Sequence, residues 1–281
     1  MKILFVDLKK SIFSPQFLIS ILLFLLLFLL SDAPSLSVKN PMSVLDEIVR
    51  FRREKWIEGG TSFYSASILY HFDNSLWYSI LLPVLSSISA LYTFKSEWFS
   101  DSYIFSLSRS GYKKFTISKS VASFMTGTLS FLCGILIYAA IVCSIFPSIK
   151  DFGENAVSSF DLHMFIDKII NNALLCGICG VSSLLFMLII KDDFFTICLY
   201  VAIEYFSMKC EIKFMNSEKF VERNNKQLLV FFPSRFKDIY WLFPKSIHIS
   251  FYWYLIIVTM LAVIICVFTY IFIKRRYNYG E

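Results

Sequence analysis

Five stretches of the chain, Ile12–Leu30, Ser75–Phe94, Val121–Phe146, Ile169–Ile190 and Phe251–Ile273, contain no Asp, Glu, Lys or Arg. Each is close to or above the roughly 20 apolar residues that a helix needs to cross a bilayer. Segments of this kind satisfy their backbone groups in hydrocarbon only as helices or closed barrels. At this length and without two-residue alternation, they read as helices. A sixth run, Phe194–Met208, is shorter and holds Glu204. The expected fold is therefore an all-α integral membrane protein with six transmembrane helices in one domain over residues 1–281. The spans fall at about 12–30, 75–94, 121–146, 169–190, 194–208 and 251–273, and the fifth is tilted, broken or re-entrant. The 57% hydrophobic and 17% charged composition argues against a globular enzyme, because soluble domains sit near ~45–50% apolar. The first run exceeds the ~7–15 residues of a signal-peptide core and has no small-x-small site before Pro34. It is expected to stay as a helix, and no lipidation motif is visible.

Lys and Arg density sets the expected orientation. With the N-terminus inside, segments 1–11, 95–120, 191–193 and 274–281 carry 12 Lys/Arg in 48 residues, against 15 in 108 for segments 31–74, 147–168 and 209–250. Both termini are thus expected to be cytoplasmic. The net charge of +6 reads as a membrane-orientation signal, with no nucleic-acid implication.

Motifs for chemistry are missing. There is no G-x-x-x-x-G-K-[ST], H-E-x-x-H or G-x-S-x-G, so no catalytic residue and no cofactor is expected in this chain. Cys176 and Cys179 form a C-x-x-C, but inside an apolar run without a second pair or a nearby His, so they lack a metal ligand set. The surrounding CGICGVSS suits close helix packing in a membrane. His71, His163 and His248 lie far apart in sequence, and no metal site is expected from them.

Two outer segments carry features. In SVLDEIVRFRREKWIEGG, Ser43 can cap a helix with Asp46 three residues on, and Gly59-Gly60 stops it. Its apolar positions Val44, Leu45, Ile48, Val49 and Trp56 suit a helix on the outer leaflet or against a partner, or else a solvated loop helix with a docking face. The segment 209–250 ends in FFPSRFKDIYWLFPKSIHIS, whose aromatic residues and prolines suggest a short helical hairpin dipping into the interface.

The stretch FKSEWFSDSYIFSLSRSGYKKFTISK, Phe94 to Lys119, lies between the second and third spans and carries seven charges. Ser96 can cap a helix starting at Glu97; Trp98, Phe99, Tyr103 and Phe105 give it an aromatic side, and Gly111 stops it. A short helix held at both ends by spans acts as a lever on them. The alternative is an amphipathic helix resting on lipid headgroups.

With these residues in hand, the chain resembles the membrane subunit of an ABC transporter of the ABC-2 (type V exporter) kind. Such chains begin with a basic amphipathic surface helix, here MKILFVDLKKSIFSPQF. They carry a coupling helix opened by Glu after the second span, then a Leu-rich stretch and a basic turn. Glu97, Phe105–Leu107, Lys113 and Lys119 match in order and spacing, and YIFIKRRY matches the basic cytoplasmic ending. Asp101, Ser110 and Lys113 depart from the family's Gly, Pro and Arg.

The resemblance implies a permease that exports a substrate, peptides or antimicrobial peptides above all, from a bacterial cell membrane. It implies a separate ATPase subunit that holds ATP and Mg and is contacted by Glu97, Trp98, Phe99, Phe105, Leu107 and Lys113. It also implies a second permease subunit, the same or homologous. The candidate translocation path is lined by Ser79, Ser86 and Ser89, which return to one helix face, and by Glu204. The serines serve equally as packing contacts. Glu204 is either a pathway group or a boundary carboxylate reaching water near Lys209. A membrane immunity or sensory protein and a secondary transporter are the alternative functions.

Overall fold

The computed structural model describes residues 2–33, 42–50, 56–57, 63–73, 75–99, 102–152, 162–190, 192–215 and 250–279. Among them every regular element is helical, and the lone strand-like pairing is an isolated antiparallel bridge between Asp32 and Ser43. The helices are α1 (Lys2–Ile12), α2 (Pro15–Leu29), α3 (Val44–Arg50), α4 (Ser65–Tyr70), α5 (Leu76–Phe99), α6 (Ser102–Ser110), α7 (Tyr112–Ile145), α8 (Leu162–Ile190), α9 (Asp193–Met215) and α10 (Ser250–Tyr279). Helices over Tyr112–Asp151 and Phe165–Ile190 are long and apolar enough to cross a membrane. The pair Leu4–Ile12 and Pro15–Leu29, bent by 57°, makes a third if it counts as one span.

The bend between α1 and α2 is written locally. Ser14 sits in an extended conformation, accepts the Phe17 N–H on its side chain at 3.2 Å, and precedes Pro15 at the first position of α2. Proline disfavours helical geometry in the residue before it, yet fits the first turn of a new helix. The chain therefore stops and restarts at a new angle. Along α2, Phe17, Ser20, Ile21, Phe24, Leu27 and Phe28 are buried, at the three-and-four spacing of one helix face. Leu18, Ile19, Leu22 and Leu26 are exposed, an apolar surface of the kind that lipid covers.

At the centre, α8 packs on α7, α5 and α10, while α7 also receives α1 and α2. Small residues bring α7 and α8 together. A Cβ on Gly127 would lie 2.5 Å from the Cys176 carbonyl oxygen, and one on Gly180 would collide with the Ser123 carbonyl. The CGICGVSS segment is thus where two backbones meet. Around α2 the core is aromatic: the Phe28 ring lies 5.6–5.7 Å from those of Phe72, Phe131 and Tyr138. A second core joins α5, α6, α7, α8 and α10 through Leu91, Phe94, Leu107, Phe115, Leu184 and Ile273.

Several expectations shift in extent. The helix expected to start at Glu97 under a Ser96 cap does not start there: residues 96–99 continue α5, and the next helix begins at Ser102. The helices α7, α8 and α9 run beyond the apolar runs 121–146, 169–190 and 194–208. At 34 residues, α7 is about 51 Å long, well beyond the hydrocarbon thickness. Gly111 ends α6 as expected, with φ +73, the left-handed region that glycine enters without strain, and α7 begins at the next residue.

The capping box at α3 is present: Ser43 Oγ lies 2.9 Å from the Asp46 carboxylate and accepts the Asp46 N–H at 3.1 Å. Of the apolar positions around α3, Val44 and Trp56 are buried, whereas Leu45 and Val49 are exposed. Trp56 stacks on Phe146 at 4.4 Å between ring centroids and donates its indole N–H to Glu47 at 3.3 Å. Burial pushes the Glu47 carboxyl up, and the indole hydrogen bond opposes it. The docking face therefore meets the chain itself. The expected stop at Gly59-Gly60 and the outer hairpin of 209–250 beyond Met215 lie outside the described residues.

Candidate functional site

Two sites stand out, one at the junction of α1, α5 and α7 and one between α5, α8 and α9. At the first, α1 is laid against α7 by the bend at Ser14, which brings Asp7 and Lys10 to the end of α5. Lys119 reaches Asp7 at 2.8 Å and also pairs with Glu97; Lys10 pairs with Glu97 at 2.9 Å, and Ser118 donates to Asp7 at 2.6 Å. The side chains of Lys119, Asp7 and Glu97 are only 9–11% exposed. Two carboxylates thus share one buried ammonium, with Lys10 balancing the charge from the surface. Burial pushes the Glu97 carboxyl up, but the Lys119 and Lys10 ammoniums outweigh it and hold the group below the usual carboxylate range.

This cluster frames α6. Glu97 lies just before that helix and Lys119 about two turns beyond the start of α7, so their pairing closes the base of the segment. Within α6, Leu107 is 3% exposed and packs with Phe94 and Phe115, whereas Phe105 is 70% exposed. Lys113 and Lys114 are exposed beside it. The six residues singled out for ATPase contact therefore separate. Glu97 and Leu107 face inward, Phe105 and Lys113 face outward, and the Trp98 and Phe99 side chains lie outside the described residues.

The second site is a cavity of about 180 Å³ lined by residues of α5, α8 and α9, among them Ser79, Pro83, Asn172, Ser182, Tyr200 and Glu204. Ser79 and Glu204, 125 positions apart, come together here. Ser86 does not line it: its side chain is fully buried and donates to the Pro83 carbonyl at 2.9 Å. The Ser89 side chain lies outside the described residues. Glu204 itself is 7% exposed.

Of the residues at these sites, Asp7, Lys10, Asn172, Ser182 and Tyr200 were not singled out from sequence. Asn171 and Asn172 are the only amides in the run Ile169–Ile190, which was a usable signal. Asp7 had none, since its partner Lys119 lies 112 positions away. At the other end of α8, Lys168 pairs with Asp73 at 2.5 Å, donates to the Tyr70 carbonyl at 2.8 Å and lies over the Tyr70 ring at 4.7 Å. It ties the α4 region to α8. Among the described residues no group of three His, Cys, Asp or Glu is placed to hold a metal ion, and His248 lies outside them.

Comparison of the chain with protein-family models, with curated proteins and with solved structures finds no match.

Proposed function

We propose that the chain is the membrane-spanning permease subunit of an ABC exporter of the ABC-2 kind. It crosses a bacterial cell membrane six times with both termini cytoplasmic, works with a separate ATPase subunit and a second permease subunit, and moves peptides outward. The observation that supports this best is α6. It is a nine-residue helix hung between two long helices, anchored inward by Leu107, and it presents Phe105 to the outside. Motion imposed on such a helix passes directly into α5 and α7. The Glu97–Lys119 pairing at its base makes the segment a stiff lever. A secondary transporter or an immunity protein needs no such projecting contact.

The experiment is co-purification with a co-expressed ABC-type ATPase subunit, combined with impermeant thiol labelling. Burying one aromatic side chain stabilises a contact by roughly 1.5–3 kcal/mol, so Phe105→Asp should weaken ATPase association about tenfold or more while the chain still inserts. Cysteines at Ser35, Ser158 and Asn224 should label from outside, and those at Ser108 and Asn278 should not. Labelling at position 108 from outside, or ATPase association unchanged by Phe105→Asp, overturns the reading.

A further inference from the structure

The polar residues around the cavity between α5, α8 and α9 are mostly engaged by the protein itself. Ser182 and Tyr200 have one hydroxyl proton each. Their hydroxyls lie 2.6 Å apart, and each also lies within 2.8–3.0 Å of the Cys179 carbonyl oxygen. Both protons close on that group of three oxygens, and neither is left for a ligand. Asn172 is 0% exposed, so its amide, which donates to the Lys168 carbonyl at 2.9 Å, lies behind the cavity surface. Glu204 is 7% exposed and already interacts with a further group of the chain. That leaves the half-buried Ser79 hydroxyl.

The space, about 180 Å³, has room for several waters, yet each buried water needs roughly 2–4 polar partners. This wall falls far short of supplying them. What it does supply is hydrocarbon and aromatic surface. Leu82, Leu175, Ile178 and Ile203 line it beside Phe186 and Tyr200, whose ring centroids are 5.3 Å apart with the planes at 64°. Rings in this edge-to-face arrangement offer a further face and edge to a third ring. Left empty, such a wall forfeits dispersion contacts on one side, and a body of matching shape restores them.

We propose that this cavity is a binding site for a small neutral aromatic molecule of one ring. The ring lies against Phe186 and Tyr200, with Leu175 and Ile178 closing over its other side. The volume suits it, because an apolar cavity of about 150 Å³ stays dry and holds a benzene molecule. A charged ligand would leave water without a free counter-group to receive it, and burying an unpaired charge is costly. A lipid chain enters a space of this size only by its tip, and its flexible methylenes lose more freedom on ordering than a rigid ring does. The site belongs to one copy of the chain and requires neither an ATPase nor transport, so it stands or falls separately from the exporter reading.

Fluorine NMR of the purified chain in nanodiscs tests the site, using 4-fluorotoluene, 4-fluorobenzylammonium and 4-fluorobenzoate as probes. Ser79→Phe, which fills the cavity, sets the baseline for partition into lipid. 4-Fluorotoluene is expected to bind saturably above that baseline, to be displaced by unlabelled toluene, and to bind at least tenfold tighter than either charged probe. Phe186→Ala, which enlarges the cavity, should admit 1-fluoronaphthalene, a two-ring probe that the parental chain excludes. Binding of 4-fluorotoluene at the parental level in Ser79→Phe, or a charged probe that binds as tightly as the neutral one, overturns the proposal. So does binding seen in detergent but absent in nanodiscs, which would mean that a lipid chain holds the cavity. Should Ser79→Phe fail to fold, saturable displacement by toluene and the ranking of the three probes in the parental chain decide alone.

Discussion

Replacing Lys119 by Met removes the ammonium that Asp7 and Glu97 share and leaves two carboxylates facing each other with little water. Breaking a buried ion pair by removing one partner costs about 3–5 kcal/mol, because the remaining charge is stranded. The figure needs little discount for screening, since all three side chains are only 9–11% exposed. At roughly 2–4 °C per kcal/mol for a chain of this size, Lys119→Met should lower the thermal midpoint in detergent by roughly 6–20 °C at pH 7. The penalty should also depend on pH. In the parental chain, the lysines hold Glu97 below its ordinary value, so its contribution is present above the unfolded-state carboxylate range and is lost as pH falls through the lower folded value. In the variant, burial acts unopposed by Lys119 and favours the protonated acid. The gap between variant and parent should therefore narrow between pH 7 and pH 5. Asp7→Asn in the Lys119→Met background should recover part of the loss by removing one stranded charge. Thermal unfolding of the four proteins across that pH range is the assay. A penalty below about 1 kcal/mol, the size of an exposed ion pair, or one that does not change with pH, would refute the reasoning.

The other predictions concern packing. Gly180→Ala should be destabilising by about 1–3 kcal/mol, because its Cβ would strike the Ser123 backbone carbonyl; a midpoint equal to the parent's would mean α7 and α8 are not in backbone contact. Trp56→Ala should cost about 3–5 kcal/mol, and fluorescence quenching of this Trp should be weak while the chain is folded. Lys10→Met should cost no more than about 1 kcal/mol, since the Lys10 side chain is 53% exposed, so its thermal midpoint should stay far above that of Lys119→Met.

Much of this architecture was legible from local chemistry. Charge-free apolar runs specify helices because every backbone group must be satisfied within the segment. All six runs lie on helices, though the bend at Ser14 leaves the start of the first on α1. Ser14-Pro15, Ser43 with Asp46, and Gly111 punctuate the chain through capping and backbone geometry that need only near neighbours. Hydropathy marks where lipid ends, however, and a helix can continue past that point when other side chains hold it. That is why α7 starts at Tyr112, with Lys119 paired inside the protein, and why Ser96 lies within α5 instead of capping a new helix. Periodicity also placed Ser79, Ser86 and Ser89 on one face but could not say what that face meets. Tertiary packing put Ser79 on a cavity with Glu204 and sealed Ser86 inside. The union of Asp7, Glu97 and Lys119 is likewise a property of three helices together, since opposite charges so distant in sequence carry no local mark of the partner they find.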